Sequence, residues 1–250
     1  MKQQSKKIQK TKTNEAKPLV CLLGDTVLVK EYSARIQEYG IAVLELKNLS
    51  SLKVSAKKIT TAFELSLVSS ETKQKNLSAL DSALALHIPI ISSSITETVL
   101  SQSQYIKHKE RLVGIAAFPT LLSQSLVELT PSVYTNKEII DIVKLFFEQI
   151  KLESAIVQDS VGMVMPRILC QIVNEALFTV QNDVASPKDV DEAIKLSMLI
   201  PNGPIAWGEI IGFTNIVAIL DALYKNKSDD QYRVSPLLRQ MSVAGKFWKE

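Results

Sequence analysis

Short apolar runs alternate with helical patterns along the first part of the chain. The run at 19–23 is continuous and ends at Gly24, which is typical of a strand covered on both faces of a parallel sheet. Residues 27–39 have a helical pattern that ends at Gly40, and residues 41–46 form a second apolar run. The order strand, helix, strand predicts the first half of a doubly wound sheet.

This alternation continues as far as residue 157. The further predicted elements are a strand at 63–68, a helix at 71–86, a strand at 88–91, a helix at 96–107, strands at 112–117 and 125–130, a helix at 136–150 and a strand at 155–157. Residues 48–60 are polar and have no clear period. We therefore expect an α/β fold built on a shortened, Rossmann-like, doubly wound parallel sheet.

Only helical periodicity is found after Gly162. Two rows of apolar residues, each with a spacing of four residues, form a broad apolar stripe on one long helix. The rows are Ile168, Ile172, Ala176 and Val180, and Leu169, Val173 and Leu177. Ser186 caps the next helix and Asp189 completes a capping box. A turn at 201–204 precedes two further helices broken at Gly212. The predicted organisation is a lysine-rich tail at 1–17, a Rossmann-like domain at 18–158 and an all-helical domain at 159–250.

Composition narrows the class of protein without naming a ligand. Of 250 residues, 46% are hydrophobic and 22% are charged, which suits one or two packed domains and excludes disorder of the body. No run approaches the roughly 18–20 apolar residues of a membrane span. The net charge is +3, but residues 1–17 hold six lysines and one acid. The rest of the chain is therefore close to neutral.

We interpret the lysine-rich tail as a disordered, solubilising end, and leave open that it binds nucleic acid or anionic lipid. Nucleic acid is not the expected partner of the folded part. The apolar stretch after the tail is too short for a secretory signal, so a cytoplasmic location is expected. Cys21 and Cys170 lie in apolar runs and are expected to be core residues. No metal site is predicted.

Several motifs resemble the 3-hydroxyacyl-CoA dehydrogenase family. They are DSVGM at 159–163, NEA at 174–176, ASPKD at 185–189, PNGP at 201–204 and SPLL at 235–238. The segments VGIAAF at 113–118 and LVE at 126–128 occupy the places of the family's G-M-H-F-F-N-P and L-V-E segments. The resemblance covers residues 18–248 and is most specific in the helical half.

The resemblance implies a dinucleotide-binding domain followed by a helical domain that dimerises and shapes an acyl-CoA site. The family's reaction is the reversible oxidation of a 3-hydroxyacyl-CoA by NAD. In that reaction a histidine removes the hydroxyl proton, a glutamate orients the histidine, and an asparagine and a serine hold the reacting groups. Between Gly40 and Gly114 the chain is shorter than the family, so a helical insertion that helps to bind CoA is expected to be missing.

The family's catalytic positions carry different residues in this chain. Its histidine aligns with Ala116, which cannot accept a proton, and general-base catalysis contributes about 10²–10⁴ in rate. Its asparagine aligns with Pro166, which has no polar side chain. Its serine aligns with Thr96, close to Ser94, and this serine-rich loop is equally typical of a helix cap. Glu128 is retained, either as the remnant of the catalytic pair or as a strand carboxylate bonded to neighbouring backbone.

Neither histidine of the chain is expected to replace the missing one. His108 precedes the strand at 112–117, and His87 precedes the strand at 88–91. The starts of parallel strands lie at the edge of the sheet opposite the carboxyl ends, where ligands bind. We therefore interpret both as surface or boundary residues.

The positions that bind the dinucleotide in the family have also changed. In place of G-x-G-x-x-G the chain has Gly24, Asp25, Thr26 and, at the third glycine, Val29. Thr26 places a Cβ where the pyrophosphate approaches the backbone. We expect the Asp25 carboxylate to satisfy the helix N-terminus instead. Lys47, at the acidic position after the second strand, is either a partner for a 2′-phosphate or a solvated strand end.

These observations lead to a degenerate family member, a pseudoenzyme with no expected cofactor that acts as a ligand-binding or scaffold protein. We expect a homodimer formed through the helical domain, and leave an acyl-CoA ligand open. The alternative is an active NAD-dependent 3-hydroxyacyl-CoA or 3-hydroxybutyryl-CoA dehydrogenase of fatty acid metabolism with a rearranged site. A third hypothesis is an interaction module that acts through the lysine-rich tail.

Overall fold

The computed structural model describes residues 18–119 and 125–245, so the predicted tail at 1–17 lies outside the described residues. Seven strands form one sheet in the order β2-β1-β3-β4-β5-β6-β7. The strands are β1 (Leu19–Gly24), β2 (Ala42–Glu45), β3 (Ile59–Leu65), β4 (Ile90–Ser93), β5 (Leu112–Ile115), β6 (Leu126–Pro131) and β7 (Glu153–Ile156). The predicted Rossmann-like sheet is confirmed, with small shifts of the strand ends.

The sheet is mixed, although the sequence predicts a parallel one. Strands β1 to β5 are parallel to their neighbours, whereas β6 pairs with β5 in the antiparallel direction and β7 is parallel to β6. The connection from β5 to β6 is short and contains no room for a crossover helix, which a parallel neighbour needs. The last two strands therefore run opposite to the first five.

Ten α-helices are found in the described residues. They are α1 (Thr26–Glu38), α2 (Leu52–Ser55), α3 (Ser70–Ala83), α4 (Val99–Gln102), α5 (Lys137–Gln149), α6 (Met165–Gln181), α7 (Pro187–Met198), α8 (Pro204–Ile211), α9 (Phe213–Lys227) and α10 (Pro236–Ala244). The helix predicted at 96–107 is shorter than expected, since α4 passes into a 3₁₀ turn at Ser103–Tyr105. The sequence pattern does not predict α10 as a helix of its own. The polar segment at 48–60, for which no element is predicted, forms short helical turns.

The sheet is covered on both faces, as the continuous run of β1 predicts. Val20 and Leu22 belong to a larger core cluster with α1, α5 and the helical region. Cys21 and Leu23 point the other way, into a smaller cluster with α3 and the segment before β5. The period-two alternation of a strand explains this division. Both cysteines are buried and free.

The helical region is organised around α6, whose predicted apolar stripe is buried in part: Ile168 is exposed and Ile172 is half-buried. Leu169, Val173 and Leu177 belong to the larger core cluster. The predicted N-cap of α7 is confirmed, because the Ser186 hydroxyl accepts from the Asp189 amide at 3.2 Å. The Asp189 carboxylate accepts from the same hydroxyl at 2.6 Å, and the return bond to the Ser186 amide that completes a capping box is not found among the described residues. Within the described residues no single helix has the length and hydropathy to cross a membrane; α8 and α9 pass only as a pair, bent by 96°.

Candidate functional site

The carboxyl ends of β3 and β4 meet α9 at a cavity of about 530 Å³. The sheet supplies the loops after these strands, including Leu67, Thr96 and Glu97, while α9 supplies Ala218 and Ala222. Ligands of open α/β sheets bind at this edge. The cavity between the sheet and the helical region is therefore the candidate site.

The turn from β1 to α1 is closed by contacts within the protein. Gly24 has φ of +128°, and a Cβ there would overlap the backbone of Leu65 and Ser66. The Asp25 carboxylate accepts from the Leu67 amide at 2.8 Å. It makes no side-chain cap on α1, so the expectation that it satisfies that helix N-terminus is wrong. The carboxylate is close enough to the end of β3 to bind there instead.

The other residues of this segment have ordinary structural environments. Thr26 begins α1 and is exposed, whereas Val29 is only 8% exposed and belongs to the larger core cluster. Lys47 is exposed, two residues after β2. Asp25 therefore places a negative charge beside the start of α1, and within the described residues it forms no ion pair with a positive side chain.

The serine-rich loop after β4 is tied to its neighbours. Ser94 is fully buried, and its hydroxyl donates to the Ser92 carbonyl at 3.1 Å. Thr96 lines the cavity and donates to the Leu67 carbonyl at 2.7 Å. Thr98, the N-cap of α4, accepts from the Ser101 amide. Capping and loop closure thus use most of these hydroxyl groups.

Glu128 joins the sheet to the helical region. Its Oε2 accepts from the Val164 amide and its Oε1 from the Met165 amide, both at 2.7 Å. These are the amides of the N-cap residue and of the first residue of α6, so the carboxylate satisfies two donors that lack partners within the helix and lies at the positive end of its dipole. The geometry of Glu128 is that of a carboxylate bonded to backbone, which is the second of the two interpretations given above. The backbone that it binds is at the start of α6 and not in an adjacent strand.

Ala116 and Pro166 lie close to this joint. Ala116 is buried and donates its amide to the Glu128 carbonyl at 3.2 Å. Pro166 is in the first turn of α6, where the missing amide proton of a proline costs nothing. Both side chains are apolar, so they provide no proton acceptor at this place.

Both histidines lie at the opposite edge of the sheet, as predicted. His87 is exposed and precedes β4. His108 precedes β5, and its Nδ1 lies 3.1 Å from the Asp81 carboxylate. That carboxylate also binds the fully buried Arg111 at 2.7 Å. Neither histidine is among the residues that line the cavity.

A buried ion pair below the cavity was missed by the sequence analysis. The Lys73 ammonium donates to the Glu64 carboxylate and to the Ser93 carbonyl, at 2.9 Å for the latter. Glu64 is fully buried and Lys73 is 1% exposed. Glu64 stands inside the apolar strand β3, and an acidic residue is buried only when its charge has a partner. Its position in the strand was therefore the sequence signal for a buried ion pair.

A second polar pair in the lining of the cavity was also missed. Tyr105 donates its phenol to Glu97 Oε1 at 2.6 Å, and Ser70 Oγ lies 3.3 Å from the same phenol oxygen. Burial, followed by the hydrogen bond to Glu97, raises the pKa of Tyr105. The phenol is therefore protonated at neutral pH and acts as a donor.

Comparisons with known proteins agree on one group of enzymes. A family model described as "3-hydroxyacyl-CoA dehydrogenase, C-terminal domain" matches residues 162–250. The chain is 29% identical over 252 residues to 3-hydroxybutyryl-CoA dehydrogenase of Clostridioides difficile, covering 91% of this chain and 89% of that one. It is 33% identical over 154 residues to a probable 3-hydroxybutyryl-CoA dehydrogenase of Deinococcus radiodurans, covering 62% and 55%.

Solved structures share the fold at lower sequence identity. The (S)-3-hydroxybutyryl-CoA dehydrogenase from Ralstonia eutropha superposes with a TM-score of 0.72 at 22% identity, over 91% of this chain and 94% of that one. FadB2 from M. tuberculosis has a TM-score of 0.76 at 16% identity, over 92% and 94%. A Rossmann-like sheet followed by a helical region is thus common to all three.

Proposed function

The chain belongs to the 3-hydroxyacyl-CoA dehydrogenase family, and on that premise we propose that it is a non-catalytic member that has kept the fold and lost hydride transfer. The observation that carries this proposal is the engagement of Glu128. Both oxygens of its carboxylate accept amides of α6. A carboxylate held in this way serves packing and is not directed at an imidazole.

The apolar residues around Glu128 support the same conclusion. Ala116 takes the position of the family histidine and Pro166 that of the asparagine. Neither side chain accepts or donates a proton, and a positioned general base is worth about 10²–10⁴ in rate. Both histidines of the chain lie at the far edge of the sheet, so no other imidazole replaces the missing one.

The residues at the family's dinucleotide positions do not fit NAD. A pyrophosphate needs bare backbone and a helix N-terminus free of negative charge. Here the Asp25 carboxylate lies at the start of α1 and binds the Leu67 amide, and Thr26 carries a side chain on the same turn. Lys47 is exposed and has no hydrogen bond to this turn among the described residues. We therefore propose that this turn does not bind NAD.

The proposed role is that of a ligand-binding or scaffold protein. The cavity of about 530 Å³ is within the range of small-molecule sites, roughly 300–1,000 Å³. Exposed apolar side chains of the helical region support a homodimer formed there. They include Ile168 on α6, Leu196 and Met198 on α7, and Leu199 after it. An acyl-CoA is retained as one candidate ligand.

An active NAD-dependent 3-hydroxyacyl-CoA dehydrogenase with a rearranged site is the second candidate. It is favoured by the alignment to the C. difficile enzyme over 91% of the chain and by the hydroxyl of Thr96 in the cavity. Such an enzyme must bind a dinucleotide, whereas the non-catalytic member need not.

Calorimetric titration of the full chain with NADH, NAD and acetoacetyl-CoA separates the two candidates. We expect no heat of binding for either dinucleotide, because the Asp25 carboxylate places a negative charge beside the start of α1 and Thr26 carries a side chain on the same turn. Saturable NADH binding that is weakened by Lys47→Ala would overturn the proposal.

Light scattering of the wild type and of Leu199→Asp tests the proposed homodimer. We expect a dimer mass for the wild type and a monomer mass for the variant. A monomer mass for both proteins would contradict the homodimer.

A further inference from the structure

The starts of β3, β4 and β5 lie side by side at the edge of the sheet opposite the cavity. Ile59 at the start of β3 pairs with Leu19 of β1, and Ile90 at the start of β4 pairs with Leu112 of β5. Neighbouring strands are about 4.8 Å apart, so the segments that precede β3, β4 and β5 span roughly 10 Å. We call this surface the amino edge, and its segments are 56–58, 85–89 and 106–111.

The amino edge carries four lysines. Lys57 and Lys58 are exposed directly before β3, and Lys107 is exposed in the segment before β5. Lys109 is half-buried, with its ammonium group 4.9 Å from the centre of the Tyr134 ring. Within the described residues none of the four forms an ion pair. Their charges are therefore available to a partner.

Carboxylates do not cancel this charge. Glu110 is exposed in the segment before β5, whereas Asp81 is buried and pairs with the buried Arg111 at 2.7 Å. The three segments thus carry four lysines against one exposed acid, and both histidines of the chain lie on the same edge. The adjoining ends of α1 and α5 add charges of both signs, which are Arg35, Glu38, Lys137, Glu138 and, one turn further on, Asp141.

Further positive charge joins the fold at this edge. Pro18 directly precedes Leu19, and the pairing of Leu19 with Ile59 places Pro18 beside Lys58. The chain that leads into Pro18, residues 1–17, has six lysines and one acid. Connectivity alone therefore brings the most basic part of the sequence to the amino edge.

Large apolar side chains are exposed beside these lysines. Leu86, before β4, is 58% exposed, and Val133, after β6, is 84% exposed. Pro131 of β6 pairs with Val113 near the start of β5, so Val133 lies at the same edge. A lipid surface accepts both kinds of group, because anionic headgroups attract ammonium groups and the acyl boundary receives apolar side chains.

The residues of the amino edge favour lipid over nucleic acid. Nucleic-acid sites rely on arginine, whose planar fork binds phosphates and base edges. The arginine of these segments, Arg111, is buried and donates to Asp81 and to the carbonyls of Leu84 and Ala85. Exposed lysines act instead as point charges, which suit a layer of headgroups without fixed geometry.

We propose that the amino edge docks on a membrane surface that contains anionic phospholipid. Lys57, Lys58 and Lys107 would contact the headgroup phosphates, and Leu86 and Val133 would enter the boundary with the acyl chains. The cavity lies at the opposite edge of the sheet, so this inference is independent of the proposed function.

Co-sedimentation of the full chain with lipid vesicles tests the proposal. One set of vesicles is phosphatidylcholine alone, and the other is a mixture of phosphatidylcholine and phosphatidylserine. We expect binding to the mixed vesicles only, and weaker binding as salt is added, because salt screens exposed charges. Equal binding to both sets, or binding to neither, would overturn the proposal. Displacement from the mixed vesicles by a DNA duplex at equal phosphate concentration would overturn it in favour of nucleic acid.

Variants separate the amino edge from the net charge of the chain. A lysine near an anionic surface contributes about 5-fold in affinity, so the double variant Lys57→Gln with Lys58→Gln should bind mixed vesicles about 25-fold more weakly. The matched control is Lys225→Gln with Lys227→Gln, two exposed lysines of α9, the helix that borders the cavity. This control removes the same charge and should have a much smaller effect. Equal effects of the two double variants would show that the amino edge is not the docking surface.

Discussion

Ala116 donates its backbone N–H to the carbonyl oxygen of Glu128 at 3.2 Å, which places the residue after β5 directly beside β6. A side chain at 116 and the carboxylate at 128 are therefore in the same neighbourhood. In this chain the first is a methyl group and the second is held by α6. We infer that positions 116 and 128, which are close enough to hold a catalytic pair, here connect the sheet to α6.

The joint predicts a stability role for Glu128. Glu128→Gln keeps one acceptor but places an NH₂ group against a backbone amide, so we expect a loss of about 1–3 kcal/mol in the free energy of unfolding. Urea denaturation measures it. Glu153→Gln, at the exposed start of β7, is the matched control and should change little. Equal midpoints for the two variants would show that the cap contributes nothing.

Val29, which the family resemblance aligns with the third glycine of the fingerprint, is part of the core. Val29 is 8% exposed and packs in the larger cluster, so Val29→Gly should destabilise the protein by about 2–4 kcal/mol through lost burial and helix propensity. Val27→Gly on the same helix is the control, because Val27 is 60% exposed. Its cost should be about 1 kcal/mol or less. Thermal or urea unfolding that ranks the two variants in the other order contradicts this interpretation.

The buried pair of Lys73 and Glu64 predicts strong coupling. Lys73→Met leaves the fully buried Glu64 carboxylate without its cation, at a cost of about 3–5 kcal/mol. The double variant with Glu64→Leu should recover part of this loss, since it removes the orphaned charge. Lys75→Met, which breaks only an exposed pair with Glu71, should leave the midpoint nearly unchanged. Additive single and double effects would argue against a coupled pair.

Acid stability should depend on Asp81. Burial acts to raise its pKa, but hydrogen bonds from Arg111, the Lys107 amide and His108 outweigh burial and hold the pKa below its ordinary value of 3.8. The native state therefore binds this proton less readily than the unfolded state. The stabilisation is present above the unfolded pKa and is lost as pH falls through the folded pKa.

Asp81→Asn tests this pH dependence. The variant should be less stable than the wild type at neutral pH, and its unfolding midpoint should fall less steeply below about pH 4. Asp141→Asn, on the exposed part of α5, is a control that should retain the wild-type slope. Parallel acid profiles for the wild type and Asp81→Asn would rule out the depressed pKa as a source of stability.

Much of the fold could be predicted because burial leaves a pattern in the sequence. The continuous apolar run of β1 and the fourfold spacing of α6 follow directly from the faces that they bury. The start of β3 was missed because Thr60 and Thr61 resemble a loop, although Thr61 is 5% exposed within the sheet. Helix α4 is shorter than predicted because the chain continues from Gln102 into a 3₁₀ turn at Ser103–Tyr105.

The site was less predictable because its contacts join distant residues. The bond from the Leu67 amide to Asp25 links β3 to β1, and no local pattern indicates it. Glu64 carried a signal as an acid within an apolar strand, but its partner on α3 did not. Glu97 and Tyr105 meet only because the chain turns tightly after α4. Such pairs depend on tertiary structure, which periodicity does not describe.

The most direct test of the non-catalytic role is the oxidation of NADH by the full chain with acetoacetyl-CoA, followed by NADH absorbance. We predict no loss of absorbance above the buffer rate, because neither Ala116 nor Pro166 can transfer a proton beside Glu128 and Asp25 places a negative charge beside the start of α1. Turnover that is saturable in both substrates and abolished by Glu128→Gln, in a variant shown to be folded, would contradict this prediction.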